Sequence, residues 1–496
     1  MTSSLPRRSF DGIRPDRRRV LARPFIPGEW ATFGGESRVD AVVERIMAIP
    51  DEQVPALVAQ VRHQFGNRHR DFDGVLLRHA ALVYDRLAET TLSADRRLLI
   101  GAYFTQEYAV EAAALTNPSI VAAPDQRGTA PGELRFVLSV RSIGEGHVSS
   151  IGFRTGIIRA SGDVQVDRPG RFVVDGTSVE SVYDRGVFQR ELIEAGANED
   201  VTAFVIGRLP PKFAANELES WLHALDGYQF GAAAVHEIVR LSHWLVSSNY
   251  SASFPEDTAI SERLLFPVGP AESRGMEDAR FVCFTDDDGS IRYHATYTAF
   301  DGFTIRPQLI TTPDFRVFHI ATLNDVGVQT KGMALFPRRI AGRYVALTRP
   351  DRESIALSTT DDVRDWGGDP TVLWQPGTVP WDLIQIGNNG SPVETSAGWL
   401  VLTHGVGPLR RYVLGAMLLD RDEPTRVVGY LPEALLEPSE QERDGYVPNV
   451  VYSCGALVHQ DQLVVSYGYS DVGAGIVTFP LDELLDCLTS AGPPPS

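Results

Sequence analysis

Five stretches of this chain share one plan, in which a turn residue leads into a strand of about six residues that ends on a polar or charged side chain. The last four begin at residues 291, 342, 398 and 461, a spacing of roughly 50 to 65 residues. One four-stranded blade per unit needs this length, so five units predict a five-bladed β-propeller. A β-sandwich also has short strands and frequent turns, but it would not repeat the polar strand end. The stretches are 134–140, 291–297, 342–348, 398–404 and 461–467.

The polar residues that close these repeats predict where a site would form. In a propeller, the strands nearest the axis send their ends towards a central funnel. We therefore expect the closing residues to meet there, in a site that carboxylates and cations line together. They are Arg141, Asp301, Arg349, His404 and Asp471.

Two parts of the chain have helical rather than β periodicity. Apolar residues recur at helical spacing between about residues 39 and 108, and again between about 188 and 245. The fold class predicted is mainly β, with a helical N-terminal extension and a helical insertion after the first blade. The boundaries predicted are 1–110 for the extension, 111–186 for the first blade, 187–272 for the insertion and 273–490 for the remaining blades.

Composition excludes several classes of partner. The 496 residues carry a formal net charge of -18, which would repel a phosphate backbone, so no nucleic-acid partner is expected and an anionic substrate needs a local cationic cluster. Cys283, Cys454 and Cys487 are too few and too scattered for a disulfide framework or a zinc site, and no metal is implied. No run of about 18 apolar residues occurs, so no membrane partner is expected. These features predict a soluble cytoplasmic protein.

The run from Gly275 to Arg280 crowds two carboxylates and a guanidinium into four residues, ahead of an apolar strand. Neighbouring carboxylates cannot both ionise cheaply in a half-dry pocket, so one of Glu277 and Asp278 is expected to hold a proton near neutral pH while Arg280 keeps the other charged. The run would then supply a proton donor. The alternative is a solvated turn in which Glu277 and Arg280 pair at the surface.

Several separate runs, in order along the chain, resemble glycoside hydrolase family 130, the inverting β-mannoside phosphorylases and related β-mannosidases. The resemblance covers roughly residues 115 to 485, and it implies a five-bladed propeller, in agreement with the repeat count. It also implies that Asp278 is the general acid, which would protonate the departing glycosidic oxygen through a hydroxyl of the mannosyl ring while phosphate attacks the anomeric carbon from the other face. The runs are 117–119, Arg141 with 149–150, 275–280, 297–299 before 301–302, 334–337 before 342–344, 386–387 with Pro392 and 395–399, 404–406, and 467–468 with Asp471.

The resemblance also implies ligands for phosphate and sugar. By family position, His404 and Tyr412 fall at phosphate ligands and Lys331 at a common basic residue. Arg410 and Arg411 are further cations that could bind phosphate. No cofactor is implied, and inorganic phosphate would be a co-substrate. The residues expected to bind the sugar are Asn117, Ser119, Arg141, Asp301 and Asp471.

One departure from the family pattern leaves the reaction open. Many phosphorylases have a lysine where this chain has Glu394. A carboxylate beside phosphate would repel it, but beside a water it could act as a general base in a β-mannoside hydrolase. Three classes therefore stay open: a phosphorylase of β-mannoside oligosaccharides, which we favour, a hydrolase, and a non-catalytic glycan-binding propeller. The helical segments could cover the funnel or join subunits of a homo-oligomer.

Overall fold

The computed structural model of the protein describes residues 7–28, 37–86, 92–179, 181–225, 228, 230–324 and 331–494. Its strands, numbered along the chain, begin with β1 (Arg7–Ile13), β2 (Val20–Pro24), β3 (Thr105–Ala109), β4 (Ala114–Ala122), β5 (Leu134–Ile143), β6 (Ser149–Ile158), β7 (Val164–Val166), β8 (Val174–Asp175), β9 (Thr177–Val179), β10 (Val182–Asp184), β11 (Lys212–Ala214), β12 (Tyr250–Ser253) and β13 (Arg263–Leu265). They continue with β14 (Gly275–Thr285), β15 (Ile291–Phe300), β16 (Ile305–Thr312), β17 (Val317–Thr322), β18 (Ala334–Leu335), β19 (Tyr344–Thr348), β20 (Ile355–Thr360), β21 (Thr371–Trp374), β22 (Gln385–Asn388), β23 (Val393–Thr395), β24 (Gly398–Val406), β25 (Tyr412–Leu419), β26 (Val427–Tyr430), β27 (Val451–His459), β28 (Gln462–Tyr469) and β29 (Gly473–Pro480).

Most of these strands fall into five antiparallel groups. The first group is β4-β5-β6-β7, and the second is β14-β15-β16-β17, which β12 and β9 extend. The third is β18-β19-β20-β21, the fourth is β22-β24-β25-β26 with β23 beside β24, and the fifth is β27-β28-β29-β1. A single parallel pair, Gly275 with Ser149, joins the first two groups into one sheet. The predicted mainly β class is confirmed.

The repeat seen in the sequence marks the same strand in each group. Its five stretches lie in β5, β15, β19, β24 and β28, and each of these is the second strand, counted from β4, β14, β18, β22 and β27. These second strands are bonded on both sides, which accounts for their strongly apolar character. The first strands are less regular, and they carry the residues that matter most below.

Helices occupy the two regions that periodicity indicates. They are α1 (Arg38–Met47), α2 (Val54–Phe65), α3 (Phe72–Ala81), α4 (Ala94–Tyr103), α5 (Arg185–Glu194), α6 (Glu199–Ile206), α7 (Ala215–Ala224) and α8 (Ala232–Ser248), followed by α9 (Leu481–Ala491) near the C-terminus. Ser37, Ser93, Asp184 and Asn198 each accept a backbone N–H bond at the start of a helix, which fixes where α1, α4, α5 and α6 begin. No helix in the described ranges is long and apolar enough to cross a membrane.

Each helical region buries an apolar cluster of its own. Val43, Leu76 and Leu99 belong to one cluster, and Leu192 and Leu245 belong to the other. The strand groups pack on one another in cores that are separate from the helical clusters, for example through the stacked rings of Phe153 and Phe318. Distinct cores of this kind fit two helical additions to a β structure.

The sequence predicted a helical N-terminal region, but this region also contains strands. Strand β1 pairs with β29 and completes the fifth group, so the two ends of the chain meet in one sheet. A strand this short carries too little periodicity to be recognised before its partner is known. Of the predicted extension, residues 1–6, 29–36 and 87–91 lie outside the described residues.

Candidate active site

A cavity of about 400 Å³ receives side chains from all five strand groups. Its carboxylates, Asp278 and Asp471, come from the second and fifth groups, and Asn117 comes from the first. The third and fourth groups contribute cations and an imidazole. The cavity is lined by Asn117, Asp278, Ile305, Lys331, Arg349, Arg352, Gln385, His404, Arg410, Tyr412, Val447, Val450, Tyr452 and Asp471.

Five polar residues that line this cavity have left-handed backbone conformations, among them Arg352 and Arg410 on its cationic side. The φ angles are 48° at Asn117, 56° at Asp278 and 51° at Asp471. Asn117 and Asp278 each lie where the strand register shifts, between Thr116 and Ser119 and between Glu277 and Arg280. A bulge re-aims a side chain, and a left-handed backbone costs free energy at residues other than glycine, so the convergence of such residues on one cavity is a sign of function.

Asp278 is held by a short network. The amide of Asn117 donates to Asp278 Oδ1 at 2.6 Å, and the Arg141 guanidinium lies 3.5 Å from the same oxygen. Arg280 donates to the backbone carbonyl of Asp278 at 2.9 Å. These contacts fix the carboxylate in place while leaving it on the cavity wall.

Glu277, the neighbouring carboxylate, points to different partners. Arg141 donates to Glu277 Oε1 at 2.7 Å, and Lys331 donates to Oε2 at 2.8 Å. Arg280, which the sequence suggested as the partner of Glu277, instead bonds the carbonyl of Asn389 and the hydroxyl of Tyr452. Glu277 therefore anchors two cations at the base of the site.

The protonation of Asp278 differs from the expectation drawn from its crowded neighbours. Burial acts to raise the pKa of Asp278, but Arg141, Arg280, the Asn117 amide and Lys331 together hold that pKa below its usual range. The free protein therefore carries Asp278 as a carboxylate. The acid whose pKa is raised is Asp471, mainly by burial, although Arg141 lowers it.

The cationic side of the cavity centres on Arg349 and His404. Arg349 is buried, and the hydrogen bond described for it goes to the carbonyl of Arg352. Its Nε atom is buried without a partner within the described part of the chain. His404 is buried as well, and its Nδ1 lies 2.7 Å from the Asn389 Oδ1. Burial, then Arg349 and Arg280, hold the pKa of His404 well below its usual value, so the imidazole is neutral.

Three further predicted phosphate ligands line the cavity. The ring of Tyr412 stacks on that of His404, with centroids 6.0 Å apart. Arg410 precedes it on an exposed turn and has a φ of 55°. Lys331 lines the cavity beside Glu277.

The cavity lining does not include Arg141, which contacts Asp278 and Glu277, nor three other predicted residues. Ser119 is fully buried, and its Oγ accepts a 3.0 Å bond from the Phe281 backbone N–H, which ties β4 to β14. Asp301 caps the turn between β15 and β16 by accepting bonds from Phe303 and Thr304. Arg411 forms an exposed ion pair with Glu437.

Glu394 is also absent from the cavity lining. Its two oxygens accept bonds from Arg338 at 3.0 and 2.8 Å, and one of them also accepts from Arg421 at 3.1 Å. The bonds from Arg338, despite some burial, lower the pKa of Glu394. This position does not support its interpretation as a base beside a water in the cavity.

The structure adds site residues that sequence reasoning missed. Tyr452 lines the cavity, binds Arg280 and lies 4.9 Å from the ring of His404, centroid to centroid. Burial raises the pKa of Tyr452 to about 12, which keeps its hydroxyl protonated. Asn389 orients His404, and Gln385 and Arg352 complete the wall. Gln385 and Asn389 lie within two residues of the family run at 386–387, which was the available signal for them.

Comparison with known proteins places the chain in a class. Residues 250–490 match a family model described as beta-1,4-mannooligosaccharide phosphorylase. A beta-1,2-mannobiose phosphorylase of Listeria innocua is 32% identical over 235 residues, which are 46% of this chain and 64% of that relative. A 1,2-beta-oligomannan phosphorylase of a Thermoanaerobacter species is 34% identical over 225 residues, covering 43% of this chain and 71% of the relative.

The chain belongs to glycoside hydrolase family 130. The match with the Listeria relative covers 64% of the length of that protein, just under two thirds. The solved structure of that Listeria enzyme with beta-1,2-mannobiose aligns with a TM-score of 0.45 at 22% identity, over 77% of this chain and 93% of the other. The family match includes Asp278, Lys331, His404 and Asp471, whereas Asn117 and Arg141 precede it.

Proposed function

We propose that this protein is an inverting phosphorylase that cleaves β-linked manno-oligosaccharides, or mannosyl-glucose, with inorganic phosphate. The product would be α-mannose 1-phosphate and a shortened acceptor. Relatives named as phosphorylases of beta-1,2-mannobiose, beta-1,4-mannooligosaccharide and 4-O-beta-D-mannosyl-D-glucose support this substrate class. Phosphate is a co-substrate in this proposal, and no cofactor is needed.

The carrying observation is that one cavity holds both a fixed carboxylate, Asp278, and a buried guanidinium, Arg349, whose described hydrogen bond goes to a carbonyl. A buried cation without a carboxylate is costly, and an incoming anion offsets that cost. Arg410, Tyr412 and His404 add donors or acceptors at the same wall. We therefore assign this wall to phosphate, with Lys331 at its edge.

Asp278 would act as the general acid in this reaction. Its pKa is low in the free protein, so it has to rise when substrates bind. A phosphate dianion close to Arg349 and the exclusion of water by sugar both raise it, because each disfavours the charged carboxylate. The protein then transfers a proton from Asp278 to the departing oxygen, through a ring hydroxyl, as the C1–O bond breaks.

Phosphate forms the new bond to C1 from the other face of the sugar, which inverts the anomeric centre. The proton lost by Asp278 is recovered from the monohydrogen phosphate, whose own proton is released as the phosphate ester forms. Asn117 would position the mannosyl ring together with Asp471. Arg141 would position the Asp278 carboxylate through its contacts with Glu277 and Asp278.

We further propose that the five strand groups are the blades of a five-bladed propeller, which carries a helical extension and a helical insertion and whose fifth blade β1 completes. Hydrogen bonds between successive groups support a ring. The groups are linked by Phe281 N–H to Ser119 Oγ, Thr296 Oγ1 to the Met333 carbonyl, Asn388 Nδ2 to the Gly332 carbonyl, Tyr412 N–H to the Asn449 carbonyl, and Ser466 Oγ to the Pro118 carbonyl. A cytoplasmic location and a homo-oligomer joined through the helices stay predictions.

The reverse reaction tests this proposal directly. The protein is incubated with α-mannose 1-phosphate and mannose or mannobiose, and the release of inorganic phosphate is measured. A phosphorylase forms a β-mannoside and releases phosphate in equal amounts. Absence of acceptor-dependent phosphate release would contradict the proposal and would favour a hydrolase or a binding protein.

A further inference from the structure

An exposed aromatic pair lies beside the cavity, outside the catalytic groups described above. The ring of Tyr446 stacks on the imidazole of His147, with centroids 5.7 Å apart and planes 28° from parallel. Tyr446 is 75% exposed, and Val447, the next residue, lines the cavity. Tyr446 is thus held against His147 while most of its surface stays open to solvent.

The loop that carries Tyr446 is firmly held on both sides of that residue. Gly445 packs against the carbonyl of Ser470, where an added Cβ would lie only 2.3 Å from the oxygen. The N–H of Val447 donates to the same carbonyl at 3.1 Å. Because Ser470 precedes Asp471, these contacts fix Tyr446 relative to the cavity.

The turn that carries His147 is held equally well. Tyr108, which follows the N-terminal helices, donates to the carbonyl of Glu145 at 2.8 Å. Gly144 packs against that tyrosine, and a Cβ there would lie 2.5 Å from its hydroxyl oxygen. His147 itself has a φ of 59°, a strained conformation. The two exposed rings are therefore preorganised rather than free to collapse.

The pair also joins the two strand groups that supply the sugar side of the cavity. His147 lies between β5 and β6 of the first group, and Tyr446 lies just before β27 of the fifth. Asn117 belongs to the first strand group and Asp471 to the fifth, and both line the cavity. The pair therefore lies on the side of the cavity to which Asn117, Val447 and Asp471 belong.

We propose that Tyr446, backed by His147, is a stacking platform for a sugar beyond the acceptor unit. The apolar face of a pyranose packs on a rigid aromatic ring, and such rings bind at low entropic cost. The inference rests on the proposed function and deepens it. The substrate class would be manno-oligosaccharides of three or more units, with a disaccharide too short to reach the platform.

Binding without turnover tests the platform. Asp278→Asn protein is titrated by calorimetry with di-, tri- and tetrasaccharides of the β-1,2 and β-1,4 mannose series. In this background the longer sugars of the recognised series should bind about fivefold more tightly than the disaccharide. Adding Tyr446→Ala should remove that gain, whereas adding Tyr446→Phe should keep it. Tyr103→Ala, at an exposed tyrosine of α4, is the matched control and should change nothing.

The outcomes separate this inference from the proposed function. If Tyr446→Ala weakens all lengths by the same factor, weakens none, or if length brings no gain before the change, the platform is overturned. If the length effect depends on Tyr446 but the unmodified enzyme forms no mannose 1-phosphate from any of these sugars, the platform stands and the reaction fails. Turnover by phosphorolysis without any Tyr446 dependence overturns the platform alone.

Discussion

At the scale of single residues, Asp278 combines a left-handed backbone, an amide donor and two nearby guanidinium groups. The Asn117 bond and the Arg141 charge favour its ionised form in the free protein. The role proposed for Asp278 as an acid therefore requires bound ligands to raise its pKa. The same contacts make it the residue whose change should matter most for turnover.

Asp278→Asn should lower kcat for phosphorolysis of a β-mannobiose by about 10²- to 10⁴-fold, because the departing oxygen loses its proton donor. The amide keeps the size of the side chain, so circular dichroism and melting should resemble those of the unmodified protein. Asp301→Asn, in the turn outside the cavity, is the control and should retain activity. Activity of Asp278→Asn within about tenfold of the unmodified enzyme would remove Asp278 from the role of general acid.

Two adjacent arginines offer a matched pair for the phosphate wall. Arg410 lines the cavity, whereas Arg411 pairs with Glu437 at the surface. Arg410→Ala should raise the KM for phosphate about tenfold, since one charge-assisted bond is lost. Arg411→Ala should leave that KM within about twofold. Equal effects of the two changes on initial rates at varied phosphate would refute the assignment of this wall.

At the scale of elements, the repeated second strands were visible in the sequence because their apolar run and turn are local features. The bulges of the first strands were not, since the shifts at Asn117 and Asp278 depend on how β4 and β14 pair with neighbours. The polar ends of four repeats, Arg141, Arg349, His404 and Asp471, do contact or line the site. Asp301 does not, because its carboxylate is used within its own turn.

Some residue roles also could not be predicted because their partners lie far away along the chain. Ser119 looked like a sugar ligand, but its hydroxyl joins two strands. Glu394 looked like a base, but Arg338 holds it in an ion pair. Tyr452 gave no signal of its own, since its importance comes from Arg280 and His404. Proximity in sequence pointed to Asp278 as the candidate acid, and the residues that hold its carboxylate became visible only through proximity in space.

The β15–β16 pair contains a histidine that should make stability depend on pH. Burial lowers the pKa of His294 to about 4, and its Nδ1 lies 2.9 Å from Thr311 Oγ1 on the facing strand. The unfolded chain takes up this proton near the ordinary value of about 6.5, so acidification below that value favours unfolding through this residue. The stabilising contribution is complete above about pH 6.5 and is lost as the pH falls towards 4.

His294→Gln should remove this contribution. Between pH 7.5 and pH 5, the free energy of unfolding of the variant should fall by about 1 to 2 kcal/mol less than that of the unmodified protein. Urea titrations at the two pH values measure the difference. Other groups titrate in both proteins alike and cancel in the comparison. Parallel pH dependence would mean that His294 is not buried in its neutral form.

At the scale of the whole molecule, an acidic chain of net charge -18 concentrates a cationic wall inside a cavity that all five strand groups line. The surface would repel phosphate, while Arg349 and its neighbours attract it locally. The cationic wall forms only because the fold brings together residues from strands that are far apart in sequence. In the proposed reaction, the residues of this wall decide whether phosphate or water attacks the anomeric carbon.

Product analysis with and without phosphate tests that choice most directly. The protein is incubated with β-1,2-, β-1,3- and β-1,4-mannobiose and with mannosyl-glucose, and the products are followed by phosphorus and proton NMR. We predict cleavage only when phosphate is present, with α-mannose 1-phosphate and free acceptor formed in equal amounts. Equally fast cleavage without phosphate, yielding only free sugars, would contradict the account.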